Sequence, residues 1–180
     1  MEKKKKKALF QLGIEQDENV LEKVNIIYTS TLIKALTCYR WSFATWTEEL
    51  KNRQEETNNK YKYSYILPKD FLILIDIFAD KQENCLIREY DLKDKLYTNN
   101  KNIYLKYIKK LEENNLPSYF TDYLEILLAC ELCYNLTGDV ELLQICEAKK
   151  QEKFNIAKNI DSRQKQAYRF KNNPFIQVRY

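Results

Sequence analysis

Phe71-Leu72-Ile73-Leu74-Ile75-Asp76-Ile77-Phe78 is the stretch on which the fold turns. A continuous apolar run of this kind is compatible with a buried helix or a buried strand, and its β-branched content decides for a strand. Tyr61, Tyr63 and Tyr65 alternate with Lys62 and Ser64 as they lead into Leu67-Pro68, ahead of the run. Beyond it, Cys85 to Tyr90, Lys95 to Thr98 and Asn102 to Ile108 are short runs separated by Asp, Asn and Lys turns, which predicts a small antiparallel sheet. On the upstream side, 51–62 reads as a polar loop without a core-forming pattern, long enough inside a compact domain to be mobile or functional. Ala44 to Leu50 reads as one more strand.

Helical patterns flank this β region. From Asn19 to Tyr39 the apolar positions Val20, Val24, Ile27, Tyr28, Leu32, Ala35, Leu36 and Tyr39 recur at helical spacing, with Asn19 and Glu22 placed as a capping box. Trp41 and Phe43 anchor the chain as it leaves that helix. Residues 2–12 read as a short helix closed by Gly13. Pro117 stands where a first helical turn tolerates proline, and Phe120, Tyr123, Leu124, Leu127, Leu128, Cys130 and Tyr134 then form a broad apolar face up to Gly138. Asp139 caps the last helix, which runs from Val140 past Ile160. Its centre, Lys149 to Lys153, carries no apolar residue, so its far half is expected to be less covered. The resulting expectation is a mainly α fold: a helical bundle of 19–39, 117–137 and 140–162, with a small antiparallel β part inserted at about 44–108. A domain over 1–162 is followed by an extended C-terminal arm over 163–180.

The composition fits a folded chain of one domain with an appendage: 180 residues, 44% hydrophobic. Tyrosine is over-used, 14 against 8 Phe and 2 Trp, which suits surfaces half-buried against a partner or reflects AT-rich coding. The net charge of +4 falls short of a nucleic-acid coating protein, but it is unevenly spread. Lys3, Lys4, Lys5, Lys6 and Lys7 form one basic block, and the stretch after Asp161 holds Arg163, Lys165, Arg169, Lys171 and Arg179. Five cysteines without a signal-peptide pattern predict reduced thiols in a cytoplasmic setting. Cys130-Glu-Leu-Cys133 lies inside a helical pattern with no second pair and no histidine to complete four ligands, so both thiols read as core residues and no metal is expected.

Chemistry is hard to place on this chain. It has no histidine, the commonest proton-transfer group and metal ligand. Two glycines, Gly13 and Gly138, cannot make a phosphate-cradling loop. No catalytic residue and no cofactor is nominated, and the expectation is a protein that is not an enzyme. No segment is long and apolar enough to span a bilayer, and no membrane partner is expected.

Four landmarks occur in a recognisable order: Trp41-Ser42-Phe43-Ala44, Tyr65-x-Leu67-Pro68-x-Asp70-Phe71, the paired-strand segment Tyr90 to Ile108, and Leu116-Pro117-x-x-Phe120 opening the helix that closes at Leu136-Thr137-Gly138. In this order and spacing the chain resembles the tail tubular protein A family, the head-to-tail adaptor or gatekeeper ring proteins of short-tailed (podovirus or crAss-like) bacteriophages. The resemblance covers Ala8 to about Asp161 and rests on packing residues: Trp41, Phe43, Leu67, Pro68, Phe71, Pro117, Phe120 and Gly138. It implies a structural virion protein of the tail and neck, assembled in the bacterial cytoplasm as a ring, usually a dodecamer, beneath the portal protein. Such a ring joins capsid to tail, offers a surface to the nozzle or other tail proteins, and lets genomic DNA pass without sequence preference. Glycine and alanine are scarcer here than in that family, and the 51–62 loop is unusually rich in lysine and asparagine.

Under this expectation the segment bearing Tyr168, Arg169, Phe170, Lys171, Pro174, Phe175, Arg179 and Tyr180 is a docking arm for the portal or a neighbouring subunit. Lys3 to Lys7 face the DNA channel or the capsid side, and Lys149, Lys150 and Lys153 are candidate subunit contacts. Two other readings compete: a small helical nucleic-acid-binding or regulatory protein that uses the basic termini on phosphates and bases, and a head-completion or stopper protein of a long-tailed phage.

Overall fold

The computed structural model describes residues 8–10, 12, 18–56 and 60–164. Lys3 to Lys7, Gly13 and residues 165–180 of the arm expected over 163–180 lie outside the described residues, as do residues 57–59 of the polar loop, while Arg163 and Gln164 still belong to the last helix rather than to an extended arm. Residues 8–10 are helical, with Ala8 and Leu9 fully buried. The elements that follow are α1 (Glu18–Thr37), β1 (Thr45–Glu49), β2 (Arg53–Glu55), β3 (Tyr63–Tyr65), β4 (Phe71–Phe78), β5 (Tyr90–Leu92), β6 (Leu96–Thr98) and β7 (Tyr104–Lys109). A 3-10 turn (Glu113–Asn115) then leads into α2 (Ser118–Thr137) and α3 (Val140–Gln164).

The strands form two antiparallel sheets among the described residues, one of three in the order β1-β7-β4 and one of four in the order β2-β3-β6-β5. This overturns the mainly α expectation. The β region is no appendage to a helical bundle, because it encloses a core of its own. Leu50, Tyr65, Ile77, Ile87, Leu96, Ile103, Leu105 and Tyr107 cluster between the two sheets. The helices bury a separate cluster that takes in Val24, Leu32, Leu36, Trp41, Phe120, Leu124, Leu128 and Cys146. The fold is therefore α+β, with the three-stranded sheet as the shared wall. In β7 the wall can be read residue by residue: Ile108 belongs to the helical core, while Leu105 and Tyr107 belong to the inter-sheet core.

β4 reaches both cores by a different route. Its eight residues pair with the six of β7 through register shifts between Phe71 and Ile73 and between Leu74 and Asp76. The extra residues in those two irregularities are Leu72 and Ile75, and both pack against the helical core, whereas Phe71 and Leu74 pack against the inter-sheet core. Bulges of this kind re-aim side chains, and here they let a continuous apolar run serve two faces. The polar loop expected over 51–62 is also partly strand: Arg53–Glu55 pairs with Tyr63–Tyr65, and Tyr61 is buried. Its side chains are exposed, so the pairing is carried by the backbone and leaves no apolar pattern in the sequence.

α1 stops at Thr37 rather than Tyr39, and Trp41 supplies the reason. Its indole N–H donates to the Ala35 carbonyl at 2.8 Å, taking up one of the acceptors that a helix end leaves free. The Trp41 ring is fully buried and lies edge-on to Tyr39, Phe120 and Phe154, with centroids 4.9, 5.1 and 6.1 Å away. Gly138 adopts φ +65, the left-handed cap that ends α2. Asp139 Oδ1 then accepts the amides of Glu141 and Leu142 at 2.9 and 3.0 Å, starting α3.

The far half of α3 is better covered than expected. Phe154 packs on Tyr39, Trp41 and Tyr123, and Ala157 and Asp161 are completely buried. The Asp161 carboxylate accepts the Ser42 amide at 2.9 and 3.0 Å, the Ser42 hydroxyl at 2.6 Å and the Tyr119 hydroxyl at 3.2 Å. Asp161→Ala strips all of these donors of their acceptor inside the fold. It should lower the unfolding free energy by about 3 kcal/mol in urea titrations, with Asp161→Asn intermediate.

Candidate functional site

Three places combine unusual geometry with accessible chemistry. The first is the Trp41 knot itself. Of the residues that carry the family resemblance, Trp41, Phe43 and Phe120 meet there, with Phe43 and Phe120 centroids 5.0 Å apart. Leu67 and Phe71 pack instead on the inter-sheet core, and Pro117 immediately precedes α2. The landmarks thus mark two packing centres rather than one site. Tyr119 at the rim of the knot has its hydroxyl pushed up to about 12 by burial and by the neighbouring Asp161 carboxylate, so it stays a neutral donor. Cys130, Cys133 and Cys146 are buried in the helical core. Burial and the Glu147 carboxylate push the Cys130 thiol up to about 12, opposite to what a reactive thiolate needs.

The second place is the outer flank of α3. This helix packs chiefly against α2. Cys146, Ala157 and Asp161 look inward, yet Ile145, Ile156 and Ile160 stay 51, 43 and 36% exposed. With Lys149 and Glu152 between them, spaced by three and four residues, they make one continuous stripe along the helix. Of the candidate contacts, Lys149 and Lys153 are exposed on or beside this stripe. Lys150 is half-buried and held by an ion pair with Glu147 one turn back. The isoleucines were not singled out in the sequence, because at 145, 156 and 160 they read as ordinary core positions of the same helix.

The third place is a depression of about 770 Å³ where β1, the turn before β4 and the 3-10 turn converge. Glu48, Asp70, Glu112 and Glu113 line it together with Lys69 and Lys110, around Pro68 and Leu111. One wall is a tight polar cluster. Asp70 Oδ2 pairs with Lys109 Nζ at 2.9 Å, and Tyr107 donates its hydroxyl to Asp70 Oδ1 at 3.1 Å. Burial tends to raise the Asp70 carboxyl, but the Lys109 ammonium and the Tyr107 hydroxyl outweigh it and hold it below the usual carboxylate range. Tyr107, completely buried, is pushed well above the ordinary phenol by burial and by the Glu48 and Asp70 carboxylates. Lys109 also lies 5.2 Å over the ring of Trp46, which is 52% exposed. Tyr28, buried in the helical core near Glu113, is raised by burial and by the carboxylates of Glu113 and Glu125. Tyr107 and Tyr28 are thus both kept neutral beside carboxylates, an arrangement that fixes geometry and supplies no group poised to exchange a proton near neutrality.

In the sequence Pro68 and Asp70 belong to a packing landmark, and nothing local marks them as part of a site. Their partners stand at 48, 107, 109 and 112–113, brought together only by the β1-β7-β4 order. Among the described residues no group of His, Cys, Asp or Glu could hold a metal ion, and no helix is long and apolar enough to cross a membrane. No protein-family model matches the chain, and no curated protein matches it either.

The Asp70 pair carries a pH signature. A carboxyl depressed in the folded state contributes stability that is present above its unfolded value and is lost as pH falls through the folded one. Asp70→Asn should therefore be less stable than the native chain at pH 6 to 8, with the gap closing below about pH 4. Urea midpoints of the two chains across that range measure it. A gap that stays constant through the acid limb would show that the pair adds nothing to the fold.

Proposed function

We propose that this protein is a structural subunit of a bacteriophage head-to-tail junction, an adaptor that assembles as a ring under the portal, joins capsid to tail and forms part of the channel for the genome. The reading rests on the ordered landmarks from Trp41 to Gly138, and one observation supports it above the others. α3 keeps Ile145, Ile156 and Ile160 open to solvent along one flank of about four turns, with Lys149 and Glu152 between them, on a helix whose other face is already committed to the core. A surface of that composition suits subunit packing: the isoleucines at its two ends give affinity, and the charges between them set register against a neighbour. The partners on this reading are the portal protein, neighbouring copies in a ring, in the family a dodecamer, and the nozzle or another tail protein.

Mixing the purified chain with the portal ring of its own phage, and imaging the product by cryo-electron microscopy, tests the proposal. A ring of copies stacked on the portal is the expected result. Ile156→Asp should reduce occupancy by roughly tenfold or more, since an isoleucine buried in a contact contributes about 1.5 to 3 kcal/mol. Alanine substitution across Lys149 to Lys153 should weaken assembly less. A bare portal, together with salt-sensitive DNA binding by the free chain, would move the assignment to the nucleic-acid reading.

A further inference from the structure

The exposed flank of α3 is complementary to itself. Leu142, Ile145, Lys149, Glu152 and Ile156 follow one another at spacings of three, four, three and four residues, the seam of a heptad repeat, and Ile160 continues it one turn on. At 3.6 residues per turn these side chains keep within about 80° of arc, over a length of about 27 Å. Leu142 is half-buried, and the other members of the row are exposed.

Along the seam the order is apolar, apolar, Lys, Glu, apolar, apolar, and it matches itself when reversed. Laid antiparallel on a second copy, about a two-fold axis between residues 150 and 151, Ile145 meets Ile156 of the second copy and Lys149 meets Glu152. Leu142 then comes opposite Ile160 at each end. A parallel pair would instead set Lys149 against Lys149 and Glu152 against Glu152. Among the described residues neither Lys149 nor Glu152 has an ion-pair partner, whereas Lys150 beside them is held by Glu147. We propose that the free chain pairs with a second copy through this flank, as an antiparallel two-fold dimer whose register is set by the two Lys149 to Glu152 contacts. Charges at seam positions select orientation and register at a cost in affinity. One helix pair buries less than about 1,200 Å² in total, the range of weak and reversible complexes, so the dissociation constant is on the order of 10 to 100 µM. A two-fold pair is closed and cannot propagate into a ring. The dimer thus belongs to the free chain, whether or not the adaptor reading holds. On that reading it would cover the flank that ring neighbours use until the portal competes for it.

Sedimentation velocity on the full chain between about 5 and 500 µM, with no portal present, reads this equilibrium. A shift from monomer to dimer across that range is the expected result. Lys149→Glu opposes like charges at both contacts and should weaken the dimer about tenfold, and adding Glu152→Lys reverses both pairs and should restore the native constant. Ile145→Asp should weaken it at least tenfold. All three positions are exposed, so the fold is retained, which circular dichroism checks. A monomer at every concentration, a species larger than a dimer, a dimer indifferent to Lys149→Glu or Ile145→Asp, or no recovery in the double exchange would each overturn the proposal. A chain that stays monomeric yet stacks on the portal would sink the dimer and leave the adaptor reading standing.

Discussion

The completely buried carboxylate of Asp161 is the contact on which the arrangement of helices and sheet depends. It receives the backbone and hydroxyl of Ser42, in the turn that leads from α1 into β1, and the hydroxyl of Tyr119 in the first turn of α2. One side chain near the end of α3 thereby ties the start of the sheet to two helices. A buried charge is costly unless its acceptor capacity is filled, so this position tolerates only a chain path that brings those donors to it. Trp41 extends the same junction: its N–H ends α1 and its ring fills the space between α1, α2 and α3. Ala44 is the first residue past the knot to meet the sheet, its carbonyl accepting the Lys109 amide at 2.8 Å.

That junction was half legible in the amino-acid sequence. Trp41 and Phe43 stand out after a long helical pattern, and their role as an anchor follows from size and position. Asp161 does not stand out, because one acid among 26 near the end of a charged helix reads as a solvated residue. Burial of a carboxylate is a tertiary property, set here by Ser42 and Tyr119, which are 119 and 42 positions away. The helix ends at Gly138 and Asp139 were legible because both rest on local chemistry, a left-handed backbone and a side-chain acceptor for nearby amides.

The β region shows the opposite balance. The strand character of Phe71 to Phe78 follows from its composition, but its weight in the fold does not, since a sheet with a core on each side needs residues aimed both ways. Two register shifts accomplish that, and a period-two pattern cannot anticipate them. Short strands such as Arg53–Glu55, wholly exposed and polar, leave no hydrophobic signature at all. The β part therefore looked like an insertion in a bundle when it is a second core. Tyrosine was misjudged for a related reason. Tyr28, Tyr61, Tyr65, Tyr107 and Tyr123 are all buried, and Tyr65 spans the fold edge by donating to the carbonyls of Asn100 and Lys101 at 2.8 Å. Part of the excess serves the interior, where a ring fills volume and a hydroxyl ties a loop.

Surfaces follow from the same economy of buried polar groups. The clusters beside the depression keep Tyr28 and Tyr107 neutral, and the rim carries Lys69 and Lys110 as well as Glu48, Asp70, Glu112 and Glu113. α3 offers a different surface, exposed isoleucines with Lys149 and Glu152 between them. A molecule that presents a depression rimmed by charges of both signs and, on another element, a row of exposed isoleucines carries two faces of different chemistry. Contacts of the first kind are weakened by salt, and contacts of the second are set mainly by apolar area. The two faces can therefore be occupied, tuned and disrupted separately.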